Sequence, residues 1–343
     1  MNRTRLLGLT FAAVVATMAT GLSANAFAST QNGSITGAGS TLVAPLMQRW
    51  SQDFESKFSI GVTYGAVGSG SGIAQITART VDFGASDAPL TGAQRGACNR
   101  CYQIPWALTA TGVAFHLNGV RQLRLTGPIV AAIYMGQITN WNDPAIKKIN
   151  PGVNLPDLKI TPAYRSDGSG DTYAFTDYLS RVSKAWKSKI GFSTQVSFPT
   201  GVGGKGNDGV TAIVNSTNGA ISYISASYII AHGLGAAALK NAAGRFEYPN
   251  LANIKAAAVG VKIGRFNEMH IVNPPKKLKS AYPLSTFTYV IVPKTTSKKA
   301  LLSKFILYAM GKGQAFGAAL DFAPIPKSVL SAGRKTVKQF QQG

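Results

Sequence analysis

Acidic residues are scarce. The 343-residue chain has 13 Asp and Glu against 35 Lys and Arg, a formal net charge of +22. With so few carboxylates, ordinary surface ion pairing has little material, and each acid becomes a candidate for a specific task. Cysteine is scarcer still. Two cysteines exclude a disulfide-rich scaffold and a four-cysteine zinc site. The three histidines, His116, His232 and His270, are isolated, so no histidine metal set is legible and no serine has a histidine partner by motif. Beyond the N-terminal segment, no stretch of about 18 apolar residues occurs, which excludes a membrane-crossing helix there. Internal repeats and long low-complexity linkers are absent. So are the phosphate-loop pattern G-x-x-x-x-G-K-[ST] and the dinucleotide fingerprint.

What is present starts with an export signal. Arg3 and Arg5 form a positive start, Leu6 to Leu22 is apolar, and "ANA" and "AFA" are small-x-small cleavage patterns. Residues 1–28 read as a signal peptide cut after Ala28, with an uncleaved anchor as the plainer alternative. No cysteine stands at the cut, so a lipid anchor is not expected there. Removal of two arginines leaves 22 − 2 = +20 on the mature chain. Such a field attracts anions. Nucleic acid is a competing partner, but the lysines are scattered, without interleaved aromatics, and an exported chain meets little DNA; no nucleic-acid partner is expected. Lys276, Lys277 and Lys279 read as a generally basic surface. Cys98 and Cys101, in "GACNRCYQIP", form either a redox motif or a small-loop disulfide. The pair sits in a loop rather than opening a helix after a strand, which favours a structural disulfide.

Strand-like and helix-like segments alternate along the chain. "STLVAPLMQRWSQDFESKF" has apolar residues at helical spacing, with Ser40 as its expected N-cap. "NDPAIKKIN" starts with Asp143 as cap and Pro144 at the first helical position. The pattern predicts an α/β protein with mainly parallel sheets flanked by helices.

Three segments share one design, small residues turning into a helix: "GAGST" at 37–41, "GSGSG" at 68–72 and "DGSGD" at 167–171. A helix N-terminus offers backbone N–H groups without internal partners and a partial positive charge, which together suit an anion. Each segment alone is more often a plain cap; three in one chain point further. Arg165 adds a planar donor fork, and Asp167 is placed to hold it. Asp87 follows "VDFGAS" at a predicted strand end. A carboxylate repels a fully ionised anion such as sulfate, yet accepts a hydrogen bond from a protonated oxyanion such as hydrogen phosphate. An ordinary turn aspartate is the alternative for both acids.

The stretches "ITGAGSTLVAPLMQRW", "YGAVGSGSGIAQI", "TVDFGASDAPL", "GQITNWNDPAIKKINPG", "RSDGSGDTYAFTDYLS" and "GVGGKGNDGV" resemble the periplasmic phosphate-binding proteins of high-affinity phosphate ABC importers, over about residues 35–230. "YPLSTFTYVIVPK" to "PIPKSVL" is a weaker match at the end. The resemblance implies a two-domain periplasmic-binding-protein fold (type II-like), hinged by crossing strands, with the ligand in the cleft. It places domain one at residues 29–112 and 287–343 and domain two at 113–286. It implies phosphate contacts from Thr41, Leu42 (through its backbone), Ser69, Asp87, Arg165, Ser169 and Gly170, with Asp167 orienting the arginine. Asp171 stands where the family often has threonine. It is either a first-turn helix aspartate or a second acceptor for a phosphate proton, and the second option would favour dihydrogen phosphate and acidic conditions. Leu42, where the family often has phenylalanine, is a mild departure.

The function expected is capture of inorganic phosphate in the periplasm by a monomeric, exported solute-binding protein and delivery to the membrane permease. No enzyme activity, metal or cofactor is expected. The rivals are an exported phosphatase on the same scaffold, a binder of another oxyanion, and a basic surface adhesin with a vestigial cleft.

Overall fold

The structure, a computed structural model, describes residues 33–342; the expected signal peptide lies outside the described residues. The chain starts with β1 (Ser34–Gly39), α1 (Ala44–Phe58), β2 (Gly61–Ala66), α2 (Ser69–Thr77) and β3 (Phe83–Ser86). Leu46, Met47, Trp50 and Phe54 are the buried stripe of α1, and Ser59 stops it in a left-handed conformation with φ 54°. α3 (Gly92–Ala97) opens with a capping box at Thr91 and Gln94 and runs into the loop closed by the Cys98–Cys101 disulfide. β4 (Tyr102–Phe115) follows.

The middle of the chain adds β5 (Arg124–Leu125), α4 (Gly127–Tyr134), α5 (Pro144–Ile149), β6 (Thr161–Arg165), α6 (Gly170–Val182), α7 (Lys184–Lys189), β7 (Val202–Gly204), α8 (Gly206–Ser216), β8 (Ala220–Ser225) and α9 (Ala226–Ala231). Asp143 caps α5 as its sequence implies, accepting a hydrogen bond from Ala145 N at 2.8 Å. Then come β9 (Gly235–Ala236), β10 (Ala238–Lys240), β11 (Phe246–Glu247) and α10 (Leu251–Ala257). β12 (Ser285–Val292), α11 (Lys299–Ala309) and α12 (Lys327–Gln342) complete the chain.

The main sheet runs β2-β1-β3-β12-β4-β8-β6-β7, with β9 beside β4. Its flanks are parallel, as alternating strands and helices require: β1 pairs with β2 and β3, and β6 with β7 and β8. Its centre is not. β12 is antiparallel to β3 and β4, and β4 to β8 and β9, so the sheet is mixed rather than mainly parallel. The reason is β4. Its first part, to Ala110, pairs with β12, and from Thr111 onward it pairs with β8. One strand therefore serves both flanks, and β12 returns beside it.

Two large apolar clusters flank this strand. One gathers Trp50, Phe54, Phe83, Trp106 and Phe305 under α1, α11 and α12. The other gathers Tyr134, Trp141, Phe175, Trp186 and Tyr223. Each buried aromatic removes a large area from water, and the tilted and edge-on ring pairs, such as Trp50–Trp106 at 5.3 Å and Tyr134–Phe175 at 4.9 Å, add directional packing. Among the described residues no helix is long and apolar enough to cross a membrane.

Candidate functional site

The small-residue segments all follow the C-terminal ends of strands, where open α/β sheets hold ligands. "GAGST" leaves β1, "GSGSG" joins β2 to α2, Asp87 directly follows β3, and Arg165 is the last residue of β6. The structure brings them together. Gly70 N donates to Gly168 O at 2.9 Å, joining the α2 and α6 entries. Gly170 N donates to Ser69 Oγ at 3.1 Å. A Cβ on Gly170 would collide with the Asp87 carboxylate, so glycine is the residue that lets the α6 backbone come this close.

Asp87 is 2% exposed. Its Oδ2 accepts from Ser40 Oγ at 2.6 Å and from Ser69 Oγ at 3.3 Å. Its Oδ1 is buried and has no hydrogen-bond partner. Burial, reinforced by the charge of Asp171, pushes the Asp87 carboxyl up to about 7; Ser40, Arg165 and Ser69 oppose the shift and do not prevent it.

Arg165 is nearly as buried. Its Nε and Nη2 donate to the two oxygens of Asp167 at 2.7 and 2.6 Å, a planar two-point pair. Nη1 donates to Asp171 Oδ2 at 3.2 Å. Burial alone would lower the proton affinity of Arg165, but the two carboxylates outweigh it. Asp167 shows the reverse balance: burial raises its carboxyl and the guanidinium brings it below the usual range. Asp171 stays raised, because its burial exceeds the help from Arg165, Thr111 and Asn207.

Asp171 does stand in the first turn of α6. It is more than a dipole complement. Oδ1 accepts from Thr111 Oγ1 at 2.7 Å, and Oδ2 accepts from Asn207 Nδ2 at 2.8 Å as well as from Arg165. Both oxygens are engaged, which makes Asp171 the inner clamp on Arg165 as Asp167 is the outer one.

The remaining expected residues lie around this centre. Thr41 Oγ1 accepts from Asn207 Nδ2 at 2.9 Å. Leu42 N donates to Ser40 Oγ at 3.0 Å. Ser169 caps α6, accepting from Thr172 N at 3.2 Å. Ser40, expected as the N-cap of α1, instead precedes a helix that starts at Ala44, and its hydroxyl donates a hydrogen bond to Asp87. Three residues were missed as site members: Ser40 in this role, Thr111 and Asn207. Asn207 lies within the quoted "GVGGKGNDGV", so its signal was on view. It ties Thr41, Asp171 and, through Oδ1, Ser225 N at 2.9 Å. Thr111 carries no local signal, being one small residue in a long buried strand.

Fully ionised, Asp87, Asp167 and Asp171 oppose the single charge of Arg165.

Comparison with known proteins gives the family. A family model described as "PBP superfamily domain" matches residues 24–312. A curated "Phosphate-binding protein PstS" from Xylella fastidiosa is 37% identical over 307 residues, 88% of this chain and 84% of its own. A protein of the same name from Pasteurella multocida is 36% identical over 306 residues, 88% of this chain and 89% of its own. The solved structure of a high affinity periplasmic phosphate-binding protein (PfluDING) bound with phosphate superposes with a TM-score of 0.72 at 20% identity, covering 88% of this chain and 93% of that one. The fold is shared with that structure. On these matches the chain belongs to the PBP superfamily and, within it, to the family of phosphate-binding proteins named PstS.

Proposed function

We propose that this protein is an exported solute-binding protein that captures inorganic phosphate in its cleft and delivers it to the membrane permease of a phosphate ABC importer, without enzymatic turnover. The observation that carries the reading is the free Oδ1 of Asp87: a buried carboxylate oxygen with no partner, beside Ser69 and the α6 N-terminus. It is the acceptor that a hydrogen phosphate supplies with a proton and that a sulfate cannot. Thr41, Leu42 N, Ser69, Ser169, Gly170 N and Arg165 are assigned to the other oxygens, with Asp167, Asp171 and Asn207 holding the arginine and Thr41. Several donors among these already bond within the protein, so ligand entry exchanges those bonds for bonds to phosphate. Micromolar affinity requires only about 8 kcal/mol, within reach of several charge-assisted hydrogen bonds in a closed cleft.

The lobes are assigned to residues 29–112 with 287–343 and to 113–286. The hand-over of β4 from β12 to β8 between Ala110 and Thr111 supports the first boundary, and β12 the second. Cleavage after Ala28 and release into the periplasm complete the reading. The relatives' names as binding proteins, and the periplasmic source in the name of the solved structure, support it.

Calorimetric titration of the phosphate-stripped protein at neutral pH, with excess sulfate present, tests the proposal. One phosphate bound per chain, undisturbed by sulfate, is the expected result. Absence of binding, or displacement by sulfate, overturns it.

A further inference from the structure

Away from the cleft, a cavity of about 760 Å³ opens beside the disulfide loop. That volume suits a ligand of several linked groups rather than one small oxyanion. Four cations line it: Arg95 on α3, Arg100 in the disulfide loop, Arg265 in the turn before β12, and Lys294 just after β12. Glu268 acts on Arg95 and is itself paired with His270 at 3.0 Å. Arg100, Arg265 and Lys294 enter no ion pair among the described residues.

The choice of cation is informative. Arginine supplies 13 of the 35 basic residues of the chain but three of these four. Guanidinium forks match phosphoryl oxygens in two-point geometry and shed water more readily than ammonium groups. Lysine, which predominates elsewhere, would suffice for solubility.

The walls are also built at a conformational cost. Eight non-glycine residues have left-handed φ among the described residues. Three of them, Arg100, Phe266 and Asn267, line this cavity. Two more hold its loop: Asn99 precedes Arg100, and Arg79 donates to both disulfide sulfurs at 3.4 Å and to Cys98 O at 3.1 Å. On the facing side Asn267 Nδ2 donates to Gln103 O at 2.7 Å and Thr336 Oγ1 at 2.9 Å, fixing the turn to β4 and α12. Arg95 and Arg265 pack on the Phe266 ring at 4.0 and 4.8 Å. Strained backbone gathered at one place and braced from several elements is a mark of a working site.

We infer that this cavity is a second anion site, separate from the cleft, that takes a chain of two or three linked phosphoryl groups. A free condensed phosphate and the phosphate tail of a nucleotide share that chemistry.

The test is calorimetric titration of inorganic tripolyphosphate into the full chain already saturated with orthophosphate. One further saturable site per chain is expected. Arg100→Ser combined with Lys294→Ser weakens it by at least about tenfold, whereas Lys276→Ser with Lys279→Ser, at a separate basic hollow, changes it by less than about twofold. Orthophosphate titration of each variant, unchanged, reports an intact fold. ATP binding as tightly as tripolyphosphate points to the phosphoryl chain alone, and tighter ATP binding to a nucleotide; both support the site. No saturable binding, no weakening by the first pair, or equal weakening by both pairs, which would mean diffuse surface attraction, overturns it.

Discussion

Asp87 is held in a place that costs it its charge. An unfolded aspartate ionises near 3.8, but the folded one does so at about 7. The folded state thus keeps a proton that the unfolded state has lost. The stability this group contributes is complete below about pH 4 and is lost progressively as pH rises to about 7. Asp87→Asn removes that loss, so the ligand-free variant should unfold at a higher temperature than the parent at pH 8, which a thermal melt checks. The same change gives sulfate an amide donor to meet, and the preference for phosphate over sulfate should fall by at least about tenfold in a competition titration. Ligand pH dependence follows from proton counting. Both oxygens of Asp171 are engaged by Thr111, Asn207 and Arg165, so in the proposed complex the phosphate proton goes to Asp87. A complex sharing a single proton must release protons when it forms at low pH. Phosphate affinity should therefore rise from pH 5 to about 7 and then level off, measured by calorimetry across that range. This reverses the acidic preference that the sequence suggested, because that preference needed Asp171 to be free.

At the scale of the element, α6 is the part most sensitive to a single atom. Its entry combines Ser169 as cap, the Gly170 N–H and the first-turn Asp171. Gly170→Ala drives a methyl group into the Asp87 carboxylate. The expected result is a loss of phosphate affinity of about 100-fold or more, with a stability cost of about 1–3 kcal/mol read by denaturant titration. The local chemistry of such entries was legible in the sequence. Small residues, a cap and an arginine fork are short-range patterns, and they marked Ser69, Asp87, Arg165 and Ser169, which the fold gathers into one place. Bonds between distant positions were not legible. Thr41 and Asn207 are 166 positions apart, and Thr111 and Asp171 are 60 apart. Strand direction failed for the same reason: β-α alternation speaks for neighbours in sequence, while β12 enters the sheet from the far end of the chain.

For the whole molecule, the charge acts before any contact is made. A chain with a formal net charge of +22 draws phosphate toward it, so the association rate should fall as salt is raised, while dissociation from buried groups changes much less. Stopped-flow binding at several ionic strengths separates the two. Sheet order has a different consequence, one of timing. β3 and β4 lie close in sequence, yet the strand between them in the sheet is Ser285–Val292. A chain that emerges with its N-terminus first holds β1 to β4 without the strand that joins β3 to β4 until more than 280 residues have passed. Such long-range pairing is slow to find. The flank made of β6, β7 and β8 is contiguous in sequence and has no such wait. Maturation should accordingly run from the middle outward, with the earliest strands among the last to be secured.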